Sequence, residues 1–275
     1  MKNIFIIGFG SIGSKIYHLL EKDPNINFYI CEFDTISLEN TAITPKFKSI
    51  NSLKTSIIKN KKVEIISKKF QEIPENDLKN FYKASDLVLL CVDNVKTRMD
   101  ANYRFYKIGV YQNPQIKMID VGIEGYIFHF KKLDIESSCL FCIKDLYTVD
   151  NYFDNASCKT LNKKFEKKID FLNSFKSSGK EFSNEELQNI KVLADKNNFK
   201  TTVFEIKGVL NNIIPSTCYT TTICANYLYI FIEKYINVES VDYLNFDIKS
   251  MKSNYIKMEK LKTCFVCNKF KKYSL

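Results

Sequence analysis

No stretch of this 275-residue chain approaches the roughly 18 consecutive apolar residues that a membrane-spanning helix requires. The richest candidate, 222–236, is interrupted by Asn226 and Glu233. No secretory signal is evident, because Lys2-Asn3 runs straight into an apolar strand candidate. These absences argue against a membrane protein and predict a cytoplasmic one. The sequence holds only two histidines. His18 falls in a helix candidate and His129 in a strand candidate, without ligand spacing, and both read as structural. There is no internal repeat and no aromatic-and-arginine module of a known nucleic-acid-binding kind, so a nucleic-acid partner is not expected.

The composition is 45% hydrophobic and 26% charged, which suits a globular chain with a sizeable core. The net charge of +10 favours anionic partners, although most of the excess is Lys scattered among Asn and Ile. Nine cysteines in a cytoplasmic setting point to reduced thiols or metal ligands.

Apolar runs at 3–7, 27–33, 63–66, 86–92 and 116–121 predict strands. Segments 11–21, 50–60, 77–83 and 95–107 predict the helices between them. This alternation implies an α/β fold, a Rossmann-like doubly wound and mainly parallel sheet. Residues 122–132, punctuated by glycine and ending in aromatic alternation, predict an antiparallel addition. Two further strand-like pieces fall at 242–247 and 254–258. Between 145 and 205 the chain turns rich in Lys, Asn, Asp and Ser, predicting a helical crossover insertion between a nucleotide-binding core (1–144) and a closing part (206–275). Within it, Leu161, Phe165, Ile169 and Leu172 are spaced for one helix face. A capping box from Ser183 to Glu186 opens a second helix, and Gly179 separates the two.

Three features carry chemistry. Gly8, Gly10 and Gly13 follow the first strand and open the first helix, the arrangement by which backbone amides approach a phosphate. Glu32, 19 residues after Gly13, stands where an acid hydrogen-bonds a nucleotide ribose, in NAD and ATP sites alike. Cys139-x-x-Cys142 and Cys264-x-x-Cys267 form two CxxC pairs, where random placement of nine cysteines would give about 0.3 such pairs. Four thiolates are the complement of a tetrahedral structural zinc. Unlinked thiols remain open; a redox pair fits less well, since neither motif starts a helix after a strand.

The stretches "CEFDTISLEN", "SLKTSII" and "DLVLLCVDNVKTRMDANYRF", taken with the glycine turn and both CxxC pairs, resemble the ubiquitin-activating enzyme family, including the ThiF and MoeB adenylyltransferases. The correspondence runs from residue 4 to about 142 and resumes from 208 to 267. The resemblance implies ATP- and Mg2+-dependent adenylation of the C-terminal carboxylate of a ubiquitin-like protein, sulfur carrier or peptide. Thioester transfer to a cysteine can follow. It also implies a homodimer or a heterodimer with a related chain. It gives Asp93 a magnesium role, Lys54 and Asn40 phosphate roles, and Glu32 the ribose. Asp34 and Asn94 border the nucleotide, and Arg98 holds the loop or the nucleotide.

The sequence departs from the family pattern in two places. Ile43 stands where an arginine is usual, with Lys46 or Lys48 as substitute cations. The chain also starts at its first strand, without the N-terminal arginine that many members lend to a partner subunit. A non-catalytic subunit of a heterodimer is therefore the alternative function. Cys158, ahead of a helix candidate, is the candidate thioester cysteine, its thiolate favoured by a helix N-terminus. Cys31, Cys91, Cys218 and Cys224 read as small buried hydrophobes. A nicotinamide dehydrogenase fits poorly, because no catalytic His or Tyr-Lys constellation is evident.

Overall fold

The structure is a computed structural model. It describes all residues except 1, 110–112, 114, 125, 135, 148–167, 169, 176–181, 200, 202, 204–205, 207–209, 211–217, 236, 239 and 272–275. The chain divides into two compact units, residues 1–143 with 216–275, and residues 144–215.

The larger unit is built on one eight-stranded sheet. Its strands are β1 (Lys2–Ile7), β2 (Ile26–Cys31), β3 (Val63–Ile66), β4 (Leu87–Leu90), β5 (Lys117–Glu124), β6 (Ile127–Leu133), β7 (Tyr243–Asp247) and β8 (Lys252–Ile256). They lie in the order β3-β2-β1-β4-β5-β6-β7-β8. The first five are parallel, and β6, β7 and β8 add on antiparallel. The chain leaves β1 outward to β2 and β3, then returns to β4 on the other side of β1. Ligands of such sheets bind outside the strand carboxyl ends where the winding reverses, here between β1 and β4.

Side-chain alternation explains why both faces are covered. Ile4 and Ile6 of β1 enter a cluster with Ile16, Tyr17 and Leu20 of α1 (Ser11–Leu20) and with Leu228 and Phe231 of the long helix Cys218–Lys234. Phe5 points the other way, its ring 5.7 Å from Phe81 and 5.9 Å from Tyr82 of the helix Glu75–Ala84. All four residues of β4 are buried, as a central parallel strand requires. Phe128 and Phe130 of β6 stack at 5.3 Å, and Phe128 lies 5.0 Å from Phe246 of β7, extending the aromatic core.

Among the described residues, further helices complete the sheet's connections and are numbered with α1 in chain order. They are α2 (Leu38–Ile43), α3 (Glu75–Ala84), α4 (Val95–Lys107) and, past the smaller unit, α6 (Cys218–Lys234); α7 (Phe265–Lys271) ends the described chain. The smaller unit holds α5 (Asn184–Lys196), opened by the expected Ser183–Glu186 capping box. Leu172, Leu187, Ile190, Ile206 and Leu210 form its apolar cluster. Leu161, Phe165, Ile169, Gly179 and Cys158 lie outside the described residues, so the expected first helix face is represented by Leu172 alone.

The helix expected over 50–60 is not formed. Lys54–Ile57 make a single 3-10 turn. Asn51 takes a positive φ of 67°, and the Ser52 hydroxyl donates to the Ser49 carbonyl, so local side-chain hydrogen bonds replace helical ones. Leu53 bridges to Thr35 and is exposed. The short helix α2 was not anticipated.

Candidate active site

Each glycine of the opening turn answers a different constraint. Gly8 has φ +91°, and a Cβ there would lie 2.8 Å from the Cys91 carbonyl oxygen, at the end of β4. Gly13 presses α1 against the turn, since a Cβ would stand 2.1 Å from the Gly8 oxygen. Among the described residues, a Cβ on Gly10 meets nothing within 4 Å. Gly10 caps α1 without a side-chain hydrogen bond, so the first helical amides lack a side-chain cap. Uncapped amides at a helix N-terminus are of the kind that anions bind.

Glu32, just past β2, is 7% exposed and holds the turn in place. Its Oε2 accepts from Phe9 N (2.9 Å), and its Oε1 accepts from Phe33 N (2.8 Å) and Asp34 N (2.9 Å). Asp34 is the more exposed acid and pairs with Lys54 Nζ at 2.8 Å, while Glu32 lies 3.9 Å from the same ammonium. Lys54 N also donates to the Asp34 carbonyl (3.0 Å). Lys54 therefore stands beside Glu32 and Asp34, already paired, in a 3-10 turn and not in an α-helix.

Asn40 is built into the start of α2. Its Oδ1 accepts from Ser37 N (3.0 Å) and its own N–H donates to Ser37 Oγ (3.4 Å), a reciprocal cap. The ammonium that reaches the carbonyl of Ile43, at the other end of this helix, is that of Lys15 (3.1 Å), not that of Lys46 or Lys48.

Asp93 is exposed and follows β4 by three residues. Asn94 Nδ2 donates to its Oδ1 (3.3 Å), and Asn94 Oδ1 caps α4 by accepting from Thr97 N (2.8 Å). Arg98, one turn into α4, is buried and does not face solvent. It donates to the Val92 carbonyl, immediately before Asp93, and to the buried carboxylate of Asp120 on β5. Arg98 thus holds the Asp93 loop. His129 on β6 brings Nε2 to 3.8 Å from Asp120, its ring lying over Gly122, where a Cβ would be 2.1 Å from Cε1. Arg98→Met leaves the Asp120 carboxylate in the core without its guanidinium. It is expected to cost about 3–5 kcal/mol in urea denaturation. A cost below about 1 kcal/mol would mean that the pair does not brace the loop.

The four paired cysteines converge in one place. Their sulfurs lie within 4.8 Å of one another, with Cys139–Cys142 at 3.8 Å, Cys139–Cys264 at 3.5 Å and Cys142–Cys267 at 3.6 Å. A tetrahedron with Zn–S bonds of about 2.3 Å has edges of about 3.8 Å, so the set can hold zinc as it stands. Leu261 N points at Cys142 Sγ (3.4 Å), the sort of donor that steadies a metal thiolate. Thiols this close share protons. Donation from Cys139 and Cys267 holds Cys142 far below the usual thiol range, while Cys139 is driven up by its hydrogen bond to Cys142. A divalent cation takes the place of those protons.

The remaining cysteines divide. Burial pushes the thiols of Cys31 and Cys91 up to about 12, and that of Cys224 well above its ordinary value, in keeping with inert core residues. Cys218 differs from that expectation. It is half-buried at the start of α6, with its carbonyl 3.1 Å and its sulfur 3.7 Å from Lys15 Nζ. Sequence spacing could not have paired residues 203 positions apart. Among the described residues, no helix is long and apolar enough to cross a membrane.

Comparison with known proteins gives three findings. The model of the ThiF family matches residues 1–266. The solved structure of E. coli MccB is similar, with a TM-score of 0.56 and 16% identity, covering 97% of this chain and 64% of MccB. MccB with ATP gives 0.56 at 14% identity, covering 97% and 66%. MccB with AMPCPP and selenomethionine MccA gives 0.58 at 15% identity, again covering 97% and 66%. The chain therefore spans about two thirds of the length of MccB. A comparison with curated protein sequences finds no match.

Proposed function

Because the chain belongs to the ThiF family, we propose that it uses ATP to adenylate the C-terminal carboxylate of a peptide, a ubiquitin-like protein or a sulfur carrier. The observation that carries this reading is the cradle at Gly10, open to a phosphate, with the Asp93 loop across the winding reversal. The solved MccB structures support the peptide within that class, since they contain ATP, AMPCPP or MccA. A cytoplasmic setting and a dimer with itself or with a related chain belong to the same reading.

In the reaction, a substrate carboxylate oxygen bonds to the α-phosphorus as the bond to the bridging oxygen breaks and pyrophosphate leaves. Negative charge gathers on phosphate oxygens, so the site must present donors and cations. The first amides of α1 take the phosphate next to the ribose. Glu32 and Asp34 orient the ribose end, and Lys54, which pairs with both acids, is assigned to the same phosphate. Asn40 offers its amide from α2. Asp93 would hold Mg2+, a hard cation suited to its exposed carboxylate, which would supply positive charge for the departing pyrophosphate. Cys158 is the candidate for a subsequent thioester.

One observation favours the non-catalytic alternative: the ammonium of Lys54 is already occupied by Asp34 and Glu32. ATP–pyrophosphate exchange with candidate peptides and carriers separates the two. Exchange is expected with a cognate C-terminus, to fall at least about 100-fold in Asp93→Ala, and to persist in Cys158→Ala, because thiol attack follows adenylation. Exchange that survives in Asp93→Ala removes the magnesium assignment. A chain that binds ATP without exchange, alone or with a related subunit, is the non-catalytic partner.

A further inference from the structure

Lys15 lies one turn into α1, and its ammonium gathers three helices. It donates to the carbonyl of Ile43 (3.1 Å) at the end of α2, to the carbonyl of Cys218 (3.1 Å) at the start of α6, and to Thr221 Oγ1; Cys218 Sγ is 3.7 Å away. Every oxygen partner is neutral. Among the described residues no carboxylate pairs with this ammonium, and the ionisable groups that act on it are the thiols of Cys218 and Cys224. Four other covered cations of the same unit face carboxylates, whereas Arg104 donates to the carbonyls of Phe70 and Ile73. Lys131 pairs with Asp242, Lys132 with Asp134, Arg98 with Asp120 and Lys54 with Asp34. Burial pushes the Lys15 amine below its ordinary value, the expected result for a covered cation without a counter-ion.

Its position gives that unmatched charge a direction. Lys15 is four residues beyond Ser11, about 6 Å along the helix axis. Helical side chains lean toward the N-terminus, so the ammonium returns toward the level of the open amides at Gly10. Its contact with Ile43 puts it against α2, the helix that carries Asn40. The ribose-side acids Glu32 and Asp34 are tied to Phe9 and Lys54 and are not among its partners.

We propose that Lys15 is the cation for the outer phosphates of ATP, a polyphosphate-binding residue built into α1. The assignment rests on the ATP site proposed above. A phosphate oxygen supplies the missing negative charge and can displace one of the neutral acceptors. Lys54 remains with the acids at the ribose end, so two lysines divide the nucleotide between them.

Calorimetric titration of the full chain with ATP and with AMP, both in Mg2+, tests it. The wild type is expected to prefer ATP. Lys15→Met should weaken ATP about tenfold or more and AMP by less than about twofold, the loss of one charge-assisted contact. Lys15→Arg should keep ATP within about threefold of wild type. Lys15→Gln retains a donor for the carbonyls of Ile43 and Cys218, and it carries the comparison if the Met variant does not fold. An unchanged preference for ATP in Lys15→Gln or Lys15→Met overturns the assignment alone. Equal loss of ATP and AMP also overturns it and makes Lys15 a helix brace. A wild type that binds neither nucleotide overturns the adenylation reading and this one together.

Discussion

Cys264→Ser is expected to strip the protein of its metal and most of its cooperative stability. Four thiolates at tetrahedral spacing bind structural zinc with an apparent free energy of about 10–16 kcal/mol in small zinc peptides. Whole domains are stable by only about 5–15 kcal/mol. Losing one ligand therefore removes a term as large as the net stability. The site also ties residues 264–267 to residues 139–142 across 121 positions, so its loss frees the end of the chain. Metal content by mass spectrometry and thermal unfolding by circular dichroism check this. The expected outcome is one zinc per wild-type chain, with a fall in Tm of at least about 10 °C in Cys264→Ser. A wild type free of zinc, or a variant that melts with it, would show that the four thiols act as ordinary core residues.

The glycines of the opening turn are expected to separate stability from binding. Gly13→Ala forces a methyl to within 2.1 Å of the Gly8 carbonyl oxygen, where both atoms belong to backbone-fixed positions. Either α1 moves off the turn or the turn gives way, at a cost of about 3 kcal/mol or more. Among the described residues the Gly10→Ala methyl meets nothing within 4 Å, at an ordinary φ of −74°, so its cost should stay under about 1 kcal/mol. The methyl instead enters the space in front of the helix amides and should reduce ATP affinity by about tenfold or more. Urea denaturation and nucleotide titration on the two variants read both effects. A Gly10→Ala protein that binds ATP as well as the wild type would mean that phosphate does not sit in this cradle.

The centre of the sheet was legible because β1 and β4 are buried on both faces and so appear as unbroken apolar runs, Leu87–Leu90 being the clearest. The antiparallel end was legible from the alternation in 127–132, which pairs with Tyr243–Asp247 in register. The ThiF-type identity rested on five spaced motifs and agrees with the family match over residues 1–266. The convergence of two distant CxxC pairs also followed from type and count. The 50–60 segment was misread because Leu53, Ile57 and Ile58 mimic a helix face while Ser49, Asn51 and Ser52 hold the backbone in turns. Arg98 stood open between loop and nucleotide, because its contacts with Val92 and Asp120 come from tertiary packing that no local pattern shows. Lys15 left no trace in the sequence at all. It is one lysine among many, and its meaning comes from Ile43, Cys218 and Thr221, which no local pattern links to it.

Helix α4 is fastened at both ends. Near its start, Asn94 and Arg98 grip the strand end that carries Asp93. Further along, Asn102 Oδ1 accepts from Leu140 N (3.0 Å), inside the first CxxC turn, and Tyr103 packs on Phe265 of the second, with ring centres 6.3 Å apart. A rod of thirteen residues is about 20 Å long. Held at one end, it pivots; held at two, it can neither tilt nor roll. The aim of Asp93 is thus a property of the whole span, and a loosened bearing at Leu140 turns the carboxylate as surely as a change beside it.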